Sequence, residues 1–472
     1  MISPLTTNHL DPMVLSFRLS LSILLHLHPL FSASAYAHWT VNSLPGFSGD
    51  LPFSLETGYV GVGDREEFQL FYYFVKTYSN PKTDPLILWL TGGPRCSSLS
   101  GLAFESGPIN FEGELKEGSL PQVLINPYSW TQNSSIIYLD LPVGTGFSYT
   151  KTSQDHKSGD HEQVQHSLQF LKKWFDDHPE FISNPFYIAG NSYSGMIVPI
   201  VALQILEGTY KHIFSFINFQ GYILGNPFTI PHASENFRIL FARNMALISD
   251  ELYESLETSC QGEYVNIDPN NVECLKHYDT YTKCASVVKQ GCILWPKCPS
   301  LKEPQTRFGQ RRSLKSSLVG QRCRQYDAIL AYYWANNDQV RKALHIHEGS
   351  IGEWIRCRGK EYYNFELTSA FPYHVNLSSK GYRSLIYSCF EYSGDHDMVV
   401  PHMETHAWIK ALNYSVVDDW RPWFIDDEVG GYTRSFANNM TFVTVKGGGH
   451  TPEYLREESS IVFKRWIIGE SL

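Results

Sequence analysis

The chain has 472 residues, of which 43% are hydrophobic and 18% are charged. A chain with that balance can bury a large core, so a mostly disordered protein is excluded. The 38 basic and 48 acidic residues give a net charge of −10, which disfavours a general binder of nucleic-acid backbones. At roughly 150 residues per domain, the length suits either about three domains or one large enzyme domain.

The first 37 residues have the pattern of a secretory signal peptide. Arg18 precedes a short apolar run, Leu19 to Phe31, and the segment ends in Ala35-Tyr36-Ala37, which fits an A-x-A cleavage site. A short membrane anchor is the alternative, but the run is well below the roughly 20 residues that span a bilayer. We therefore expect a vacuolar or extracellular protein with no membrane segment after signal cleavage.

Sequons and cysteines agree with passage through an oxidising secretory compartment. Four glycosylation sequons begin at Asn133, Asn376, Asn413 and Asn439. Most of the nine cysteines lie mid-chain, at Cys260, Cys274, Cys284, Cys292, Cys298 and Cys323. A zinc site is the alternative to disulfides, but the segment lacks paired C-x-x-C units and a spaced histidine pair. Disulfides are therefore favoured, and we expect neither a metal nor a cofactor.

Short apolar runs bounded by glycine and proline indicate buried parallel strands. They are Leu86 to Leu90, Ser135 to Leu141, Phe186 to Ala189 and Ile217 to Leu224, and a helical pattern covers His161 to Phe175. This alternation predicts a doubly wound, mostly parallel α/β sheet. The rhythm breaks after residue 228, and strand-like runs resume at Ser384 to Tyr387 and at Met440 to Val445. We expect a core of residues 38–228 and 371–472, interrupted by a disulfide-rich insertion of residues 229–370.

The third strand runs into Gly190-Asn191-Ser192-Tyr193-Ser194-Gly195 and then an apolar helical segment. This order of strand, sharp turn and helix is what a nucleophile elbow requires, with small residues at 190, 194 and 195 relieving the crowding. An ordinary glycine-rich turn is the alternative, since position 194 is Ser where the motif has Gly. The pattern predicts Ser192 as a nucleophile.

A nucleophilic serine needs a base and an orienting carboxylate, in the chain order Ser, Asp or Glu, His on such a sheet. Gly394-Asp395-His396-Asp397 follows one predicted strand, and Gly447-Gly448-Gly449-His450 follows the last. These positions predict His450 as the base and Asp397 as the acid, with Asp395 as the alternative. For the oxyanion hole, we expect backbone N–H donors at Tyr193 and at Gly93, in the glycine turn after the first strand.

Together these motifs resemble the serine carboxypeptidase family. The likeness is carried by Trp89 to Pro94 with Cys96-Ser97-Ser98, by the turn around Ser192, by Ser393 to Asp397 and by Gly448-Gly449-His450. Tyr333 to Asn337 and Gly381 to Tyr387 resemble the plant acyltransferase branch of this family, which transfers acyl groups from glucose esters to small acceptors.

The resemblance implies an α/β-hydrolase fold with an inserted helical, disulfide-rich cap. It supports the roles given to Gly93, Tyr193 and Asp397, and implies disulfides Cys96–Cys357 and Cys260–Cys274. Some family members are cut within the cap, and the basic segment from Arg307 to Lys315 is a candidate cutting site, with a solvated loop as the alternative.

Thr91, Gly92 and Asn191 are the expected substrate contacts. Carboxypeptidases of the family have Asn at position 91 and Glu at position 191, which hydrogen-bond the terminal carboxylate of a peptide. The acyltransferase branch has Thr and Asp, so Thr91 matches that branch and Asn191 matches neither. An amide cannot titrate, so pH-dependent recognition at position 191 is not expected.

Two departures from the family bear on activity. Arg95 stands where the family has Gly, and residues 388–392 look like an insertion just before the acid motif, which must loop out or shift the strand register. The sequence thus predicts an acyltransferase acting on a small acyl donor and acceptor. The alternatives are a carboxypeptidase acting on peptide C-termini and a catalytically impaired member of the family.

Overall fold

The computed structural model describes residues 38–113, 120–152, 156–207, 214–295, 325–389, 396–452 and 455–472. The predicted signal peptide, the candidate cutting site and Asp395 lie outside these ranges. The described residues belong to one compact unit.

Nine strands precede the first α-helix among the described residues. The strands are β1 His38–Val41, β2 Leu55–Val62, β3 Phe68–Val75, β4 Leu86–Leu90, β5 Ile109–Glu112, β6 Gln122–Ile125, β7 Ser135–Leu139, β8 Tyr149–Thr150, β9 Ser158–Gly159, β10 Phe186–Asn191, β11 Phe219–Gly225, β12 Tyr363–Asn364, β13 Arg383–Cys389, β14 Val416–Ile425, β15 Glu428–Phe436 and β16 Met440–Val445. The helices are α1 Asp160–Asp177, α2 Ser194–Glu207, α3 Pro231–Asn244, α4 Asp250–Cys260, α5 Val272–Ala285, α6 Gln325–Ala335, α7 Asp338–Ala343, α8 Phe371–Ser379, α9 His402–Ala411 and α10 Arg456–Ile468.

One large sheet organises the molecule, in the order β1-β2-β3-β7-β4-β10-β11-β13-β16-β15-β14. The strands from β7 through β16 in this order are parallel, which confirms the predicted α/β-hydrolase centre. Antiparallel strands continue the sheet on both sides, so the sheet as a whole is mixed. The sequence runs predicted the centre because fully buried strands are apolar throughout.

Each face of the sheet carries its own core. Along β4, Leu86, Leu88 and Leu90 pack with α1 and α2, whereas Ile87 and Trp89 pack on the opposite face with α6 and α10. This division follows from the two-residue repeat of a strand, which turns successive side chains to opposite faces. Because both faces are covered, the ends of the parallel strands are the places where polar side chains meet.

The insertion between β11 and β13 packs in two places. Side chains of α3, α4 and α5 form a third apolar cluster with Met398, whereas Leu330 and Trp334 of α6 belong to the core of the main sheet. The predicted limits of the insertion, residues 229 and 370, stay a prediction.

The suspected insertion at residues 388–392 leaves the strand register intact as far as the structure describes it. β13 pairs with β16 in continuous parallel register from Ser384↔Met440 to Cys389↔Val445. Residues 388 and 389 therefore continue the strand, and the other three residues of the segment, 390–392, lie outside the described ranges.

Candidate active site

Ser192 lies in a tight turn between β10 and α2, with φ of 55°. Its backbone is held by three hydrogen bonds: its N–H donates to Gly225 O, and its carbonyl accepts from Gly195 N and Phe228 N, each at 2.9 Å. A Cβ at position 190 would lie 2.3 Å from Ser194 Oγ and 2.4 Å from Leu90 O. The small residue predicted at position 190 is thus required by the close approach of β4 and Ser194.

The glycine turn after β4 lies against this nucleophile turn. A Cβ on Gly92 would lie 2.8 Å from both Ser192 Cβ and Tyr193 N, so only glycine permits this approach. Gly93 has φ of 124°, in the region that favours glycine. In the described part of the chain, neither the Gly93 N–H nor the Tyr193 N–H donates a hydrogen bond. Two backbone donors therefore stand without a partner at the two turns that meet beside Ser192.

A hydrogen-bonded series joins the three predicted triad residues. His450 Nε2 lies 2.7 Å from Ser192 Oγ, and His450 Nδ1 lies 2.7 Å from Asp397 Oδ2. Asp397 is buried and the His450 side chain is 17% exposed. Burial lowers the pKa of His450, but the Asp397 carboxylate outweighs it, so the pKa is raised. The arrangement has the geometry that activates a serine hydroxyl for attack on an ester or amide carbonyl.

Asp397 is positioned by a residue that the sequence analysis did not single out. Asn226 Nδ2 donates to Asp397 Oδ2 at 2.8 Å, while the N–H groups of Val399 and Val400 donate to Oδ1 at 2.8 and 3.2 Å. Asn226 follows β11 directly and has φ of 43°. A signal was present, since an asparagine at the carboxyl end of a predicted parallel strand lies at the edge where such sites form.

The disulfide-rich insertion holds the loops that carry Asp397 and His450. Gly291 O accepts from His450 N at 2.8 Å, Gln290 O accepts from Met398 N at 2.8 Å, and Ile293 N donates to His396 O at 2.9 Å. Residues 290–293 therefore act as a backbone clamp on both loops. No sequence motif marks these contacts, because they use peptide groups only.

The predicted substrate contacts lie in the two turns beside Ser192. Asn191 is buried, and its Oδ1 accepts from Gly92 N at 3.1 Å, so part of its amide joins the two turns. Thr91 Oγ1 is buried and has no hydrogen-bond partner among the described residues. A buried hydroxyl without a partner is costly, so a substrate group at Thr91 would be stabilised there.

Arg95 adopts φ of 70°, in the region that favours the glycine found at this position in the family. Its guanidinium is buried, donates from Nη1 to Gly359 O at 3.3 Å and lies 5.5 Å from the centre of the Tyr362 ring. Burial and the nearby Arg358 lower the pKa of Arg95, with Glu361 acting in the opposite direction.

The structure contains both disulfides that the resemblance implied, Cys96–Cys357 and Cys260–Cys274. Among the predicted glycosylation sites, Asn376, Asn413 and Asn439 are exposed, and Asn133 is half-buried. Glycosylation of these residues stays a prediction.

One cluster of three metal-capable side chains occurs among the described residues, formed by His38, Glu56 and His178. His178 Nε2 and Glu56 Oε1 are already hydrogen-bonded at 3.0 Å, and His38 Nδ1 pairs with Asp177 at 2.8 Å. The cluster lies on other elements than the triad, on β1, on β2 and after α1. We therefore assign it no part in the chemistry at Ser192.

In the parts of the chain that the structure describes, no helix combines the length and hydropathy required to cross a membrane.

The chain is similar to known proteins over almost its whole length. Residues 45–469 match the family model described as serine carboxypeptidase. The Arabidopsis thaliana protein named serine carboxypeptidase-like 1 is 51% identical over 453 residues, covering 96% of this chain and 98% of the relative. Serine carboxypeptidase-like 7 from the same plant is 51% identical over 432 residues, covering 92% of this chain and 94% of the relative.

A solved structure supports the fold. The prohormone-processing carboxypeptidase Kex1Δp from Saccharomyces cerevisiae aligns with a TM-score of 0.69 at 18% identity, covering 88% of this chain and 92% of the yeast chain. At that identity the likeness shows the fold alone. Since the family model spans nearly the whole described chain, this protein belongs to the serine carboxypeptidase family.

Proposed function

We propose that the protein is a secreted or vacuolar acyltransferase that moves an acyl group from a glucose ester to a small hydroxyl acceptor through an acyl intermediate on Ser192. The observation that carries the proposal is the hydrogen-bonded series from Ser192 through His450 to Asp397. It lies beside two unpartnered N–H groups, which are suited to stabilise an oxyanion.

The reaction proceeds in two balanced halves. Ser192 Oγ attacks the ester carbonyl while His450 Nε2 takes the hydroxyl proton, and the oxyanion is held by the N–H groups of Gly93 and Tyr193. Collapse of the tetrahedral intermediate breaks the bond to glucose, which leaves with the proton from His450. The acceptor hydroxyl then attacks the acyl-serine, gives its proton to His450, and Ser192 recovers that proton as the ester product leaves.

The choice of a hydroxyl acceptor over water and peptides rests on positions 91 and 191. The unpartnered hydroxyl of Thr91 is suited to hydrogen-bond a sugar or acceptor hydroxyl, since it can donate and accept. Asn191 presents an amide instead of the carboxyl group of a carboxypeptidase, and its oxygen is occupied by Gly92 N. The residues that recognise a peptide carboxylate in carboxypeptidases are therefore replaced at both positions.

The first experiment asks whether Ser192 is activated. We expect the secreted full-length glycoprotein to be labelled by a fluorophosphonate probe at Ser192, identified by mass spectrometry. Labelling would remove the alternative of a catalytically impaired protein. Failure to label the wild-type protein, at any pH between about 4 and 8, would contradict the proposal at its first step.

The second experiment separates acyl transfer from proteolysis. We expect ester products when the protein is incubated with a set of acyl-glucose donors and hydroxyl acceptors, and no release of C-terminal residues from blocked dipeptides. Release of amino acids from the dipeptides without ester formation would identify a carboxypeptidase. Labelling without either activity would refute both assignments of substrate while keeping the activated serine.

A further inference from the structure

A small cavity lies next to the turn that carries Arg95. It has a volume of about 70 Å³ and is lined by the turn after β4, the segment after β7 and residues 350–358. On the same measure one water needs about 10–15 Å³, so the space accommodates a small charged group with its hydrogen-bonding partners.

Two arginines line this cavity, and neither forms an ion pair among the described residues. The Nε atoms of Arg95 and Arg358 are both buried without a hydrogen-bond partner among the described residues. Nη1 of Arg95 and Nη2 of Arg358 donate only to carbonyls, of Gly359 and Glu353, each at 3.3 Å. In the described part of the chain, no carboxylate lies within 4.0 Å of either guanidinium, and Glu361 acts on Arg95 only from beyond that distance. Arg95 is buried and Arg358 is half-buried, and a desolvated cation without an ion pair is unfavourable, so the cavity favours a negatively charged occupant.

The backbone fixes the two arginines beside each other. Arg358 N donates to Arg95 O at 3.0 Å, and Ser97 N donates to Arg356 O at 2.7 Å. Between these bonds the Cys96–Cys357 disulfide joins the two segments covalently. Because the partners are held before any ligand arrives, little conformational entropy is lost when an anion binds.

The opposite wall is lined by small and hydroxyl-bearing residues. A Cβ on Gly144 would lie 3.4 Å from Arg95 Nη2, so this residue lies directly against the guanidinium. Tyr149 and Thr150 line the same cavity, and their hydroxyls are hydrogen-bonded to His347 Nδ1 at 2.9 Å and to Thr152 Oγ1 at 3.1 Å. His156 also lines it and is paired with Glu162 at 2.7 Å, so this acid is already engaged. The donors left for an anion are those of the two planar guanidinium groups, whose geometry matches a carboxylate.

The cavity is linked to the proposed active site through one turn. Gly92, which contacts Ser192, and Gly93, a proposed oxyanion donor, stand three and two residues before Arg95. An anion held by Arg95 is thus held by the same short turn that approaches the nucleophile.

We propose that Arg95 and Arg358 form an anion-binding subsite that takes a carboxylate group of the substrate. The shared chemistry is a carboxylate on a small molecule, carried by the hydroxyl acceptor, by the acyl donor or by a peptide terminus. Only the assignment to acceptor or donor rests on the proposed function, because binding itself does not require turnover.

The binding experiment uses the full-length glycoprotein with Ser192→Ala, so that no reaction interferes. Succinate is titrated calorimetrically at low salt, with dimethyl succinate as the uncharged match. We expect succinate to bind, its dimethyl ester not to bind, and Arg95→Gly and Arg358→Gln each to weaken the succinate Kd at least about tenfold, the loss expected for one charge-assisted contact.

Arg65→Gln serves as the matched control, because Arg65 is exposed on a turn and does not line the cavity, so the succinate Kd of this variant is expected to be unchanged. Arg95→Gly is expected to fold, since glycine suits the positive φ at this position. An unaltered Kd in both cavity variants, or equal binding of the ester, would overturn the subsite.

The kinetic experiment assigns the carboxylate to its source. In protein with Ser192 intact, we expect Arg95→Gly to raise KM at least about tenfold for a hydroxy acid acceptor, and to leave KM for its methyl ester unchanged. The same KM measurement with an acidic and a neutral acyl donor tests whether the carboxylate belongs to the donor. With a dipeptide and its amide, it tests whether the carboxylate belongs to a peptide terminus. Succinate binding that depends on Arg95, combined with no acyl transfer, would keep the subsite and refute the acyltransferase.

Discussion

Two neighbouring turns at the carboxyl ends of parallel strands each hold a non-glycine residue at positive φ, but the two side chains have different surroundings. Ser192 follows β10 with φ of 55°, and Arg95 lies in the turn after the adjacent parallel strand β4 with φ of 70°. The Ser192 hydroxyl contacts His450, whose other nitrogen contacts a buried acid. Arg95 is buried, and its Nε atom has no hydrogen-bond partner among the residues that the structure describes.

Backbone strain of this kind costs about 1–3 kcal/mol and by itself does not identify a functional residue. At Ser192 the strain presents a small hydroxyl to a base, while three backbone hydrogen bonds hold the turn. At Arg95 the same region of φ accompanies a long cation that lines a cavity, with no carboxylate within 4.0 Å of it among the described residues. The hydrogen-bonding partners, more than the strain, therefore distinguish a candidate nucleophile from a candidate binding residue.

Of the substitutions in the two turns, Ser192→Ala is expected to have the largest effect on activity. We expect fluorophosphonate labelling to vanish and any ester-forming activity to fall at least about 10⁴-fold, because the methyl group cannot form an acyl intermediate. Ser379→Ala, on the exposed end of α8, is the control and should keep both. Persistent labelling of the Ser192 variant would move the nucleophile elsewhere.

Asp397→Asn tests the partner that distinguishes the Ser192 turn. We expect activity to fall about 10⁴-fold, as an amide cannot hold the imidazolium that forms during attack. Titration provides a second readout, since Asp397 raises the pKa of His450 against the effect of burial.

Only the neutral imidazole acts as a base, so wild-type kcat/KM should rise with pH through a pKa above the ordinary histidine value of 6.5. The asparagine variant should show that rise at lower pH. An identical pH profile in both proteins would argue against Asp397 as the partner of His450 in solution.

Asn226→Gly should have an intermediate effect. The change removes the amide that donates to Asp397 and keeps a residue suited to φ of 43°. A lost hydrogen bond to a charged group costs about 1.5–3 kcal/mol, so we expect activity to fall about 10- to 100-fold. A shift of the acid side of the pH profile would distinguish positioning of Asp397 from a general loss of stability.

Arg95→Gly gives the smallest effect and tests the other turn. Glycine removes both the strained φ and a buried cation, so we expect the free energy of unfolding to rise by about 1 kcal/mol. Thermal unfolding of the protein measures this change. Arg65→Gly is the control, because Arg65 is not among the residues with positive φ, and it should lower stability slightly. A lower melting temperature for Arg95→Gly would show that the arginine contributes more than its strained backbone costs.

Local patterns predicted most of the parallel centre of the sheet and the positions of the three triad residues. Each of Ser192, Asp397 and His450 follows an apolar run that forms a strand, so strand ends and chain order were enough to group them. The antiparallel flanks were harder to predict, because strands such as β14 mix exposed and half-buried residues and lack a continuous apolar run.

The contacts of Asn226 and of residues 290–293 could not be assigned from sequence. Asn226 acts on a residue 171 positions away, and Gly291 and Gln290 use only their carbonyl groups. A backbone hydrogen bond leaves no mark on the choice of side chain, and a single asparagine after a strand is common in turns.

The sequence by itself indicated the family resemblance, the chain order of the candidate nucleophile, acid and base, and the residues of the turn around Ser192, because short-range rules of strand, turn and helix govern them. Only the tertiary structure decided that Asp397 contacts His450, that a disulfide places Arg358 beside Arg95, and that both arginines border one cavity. These results depend on burial and on pairs far apart in the chain, such as Cys96 and Cys357 at a separation of 261 residues. Such contacts follow from how the whole sheet and its insertion pack.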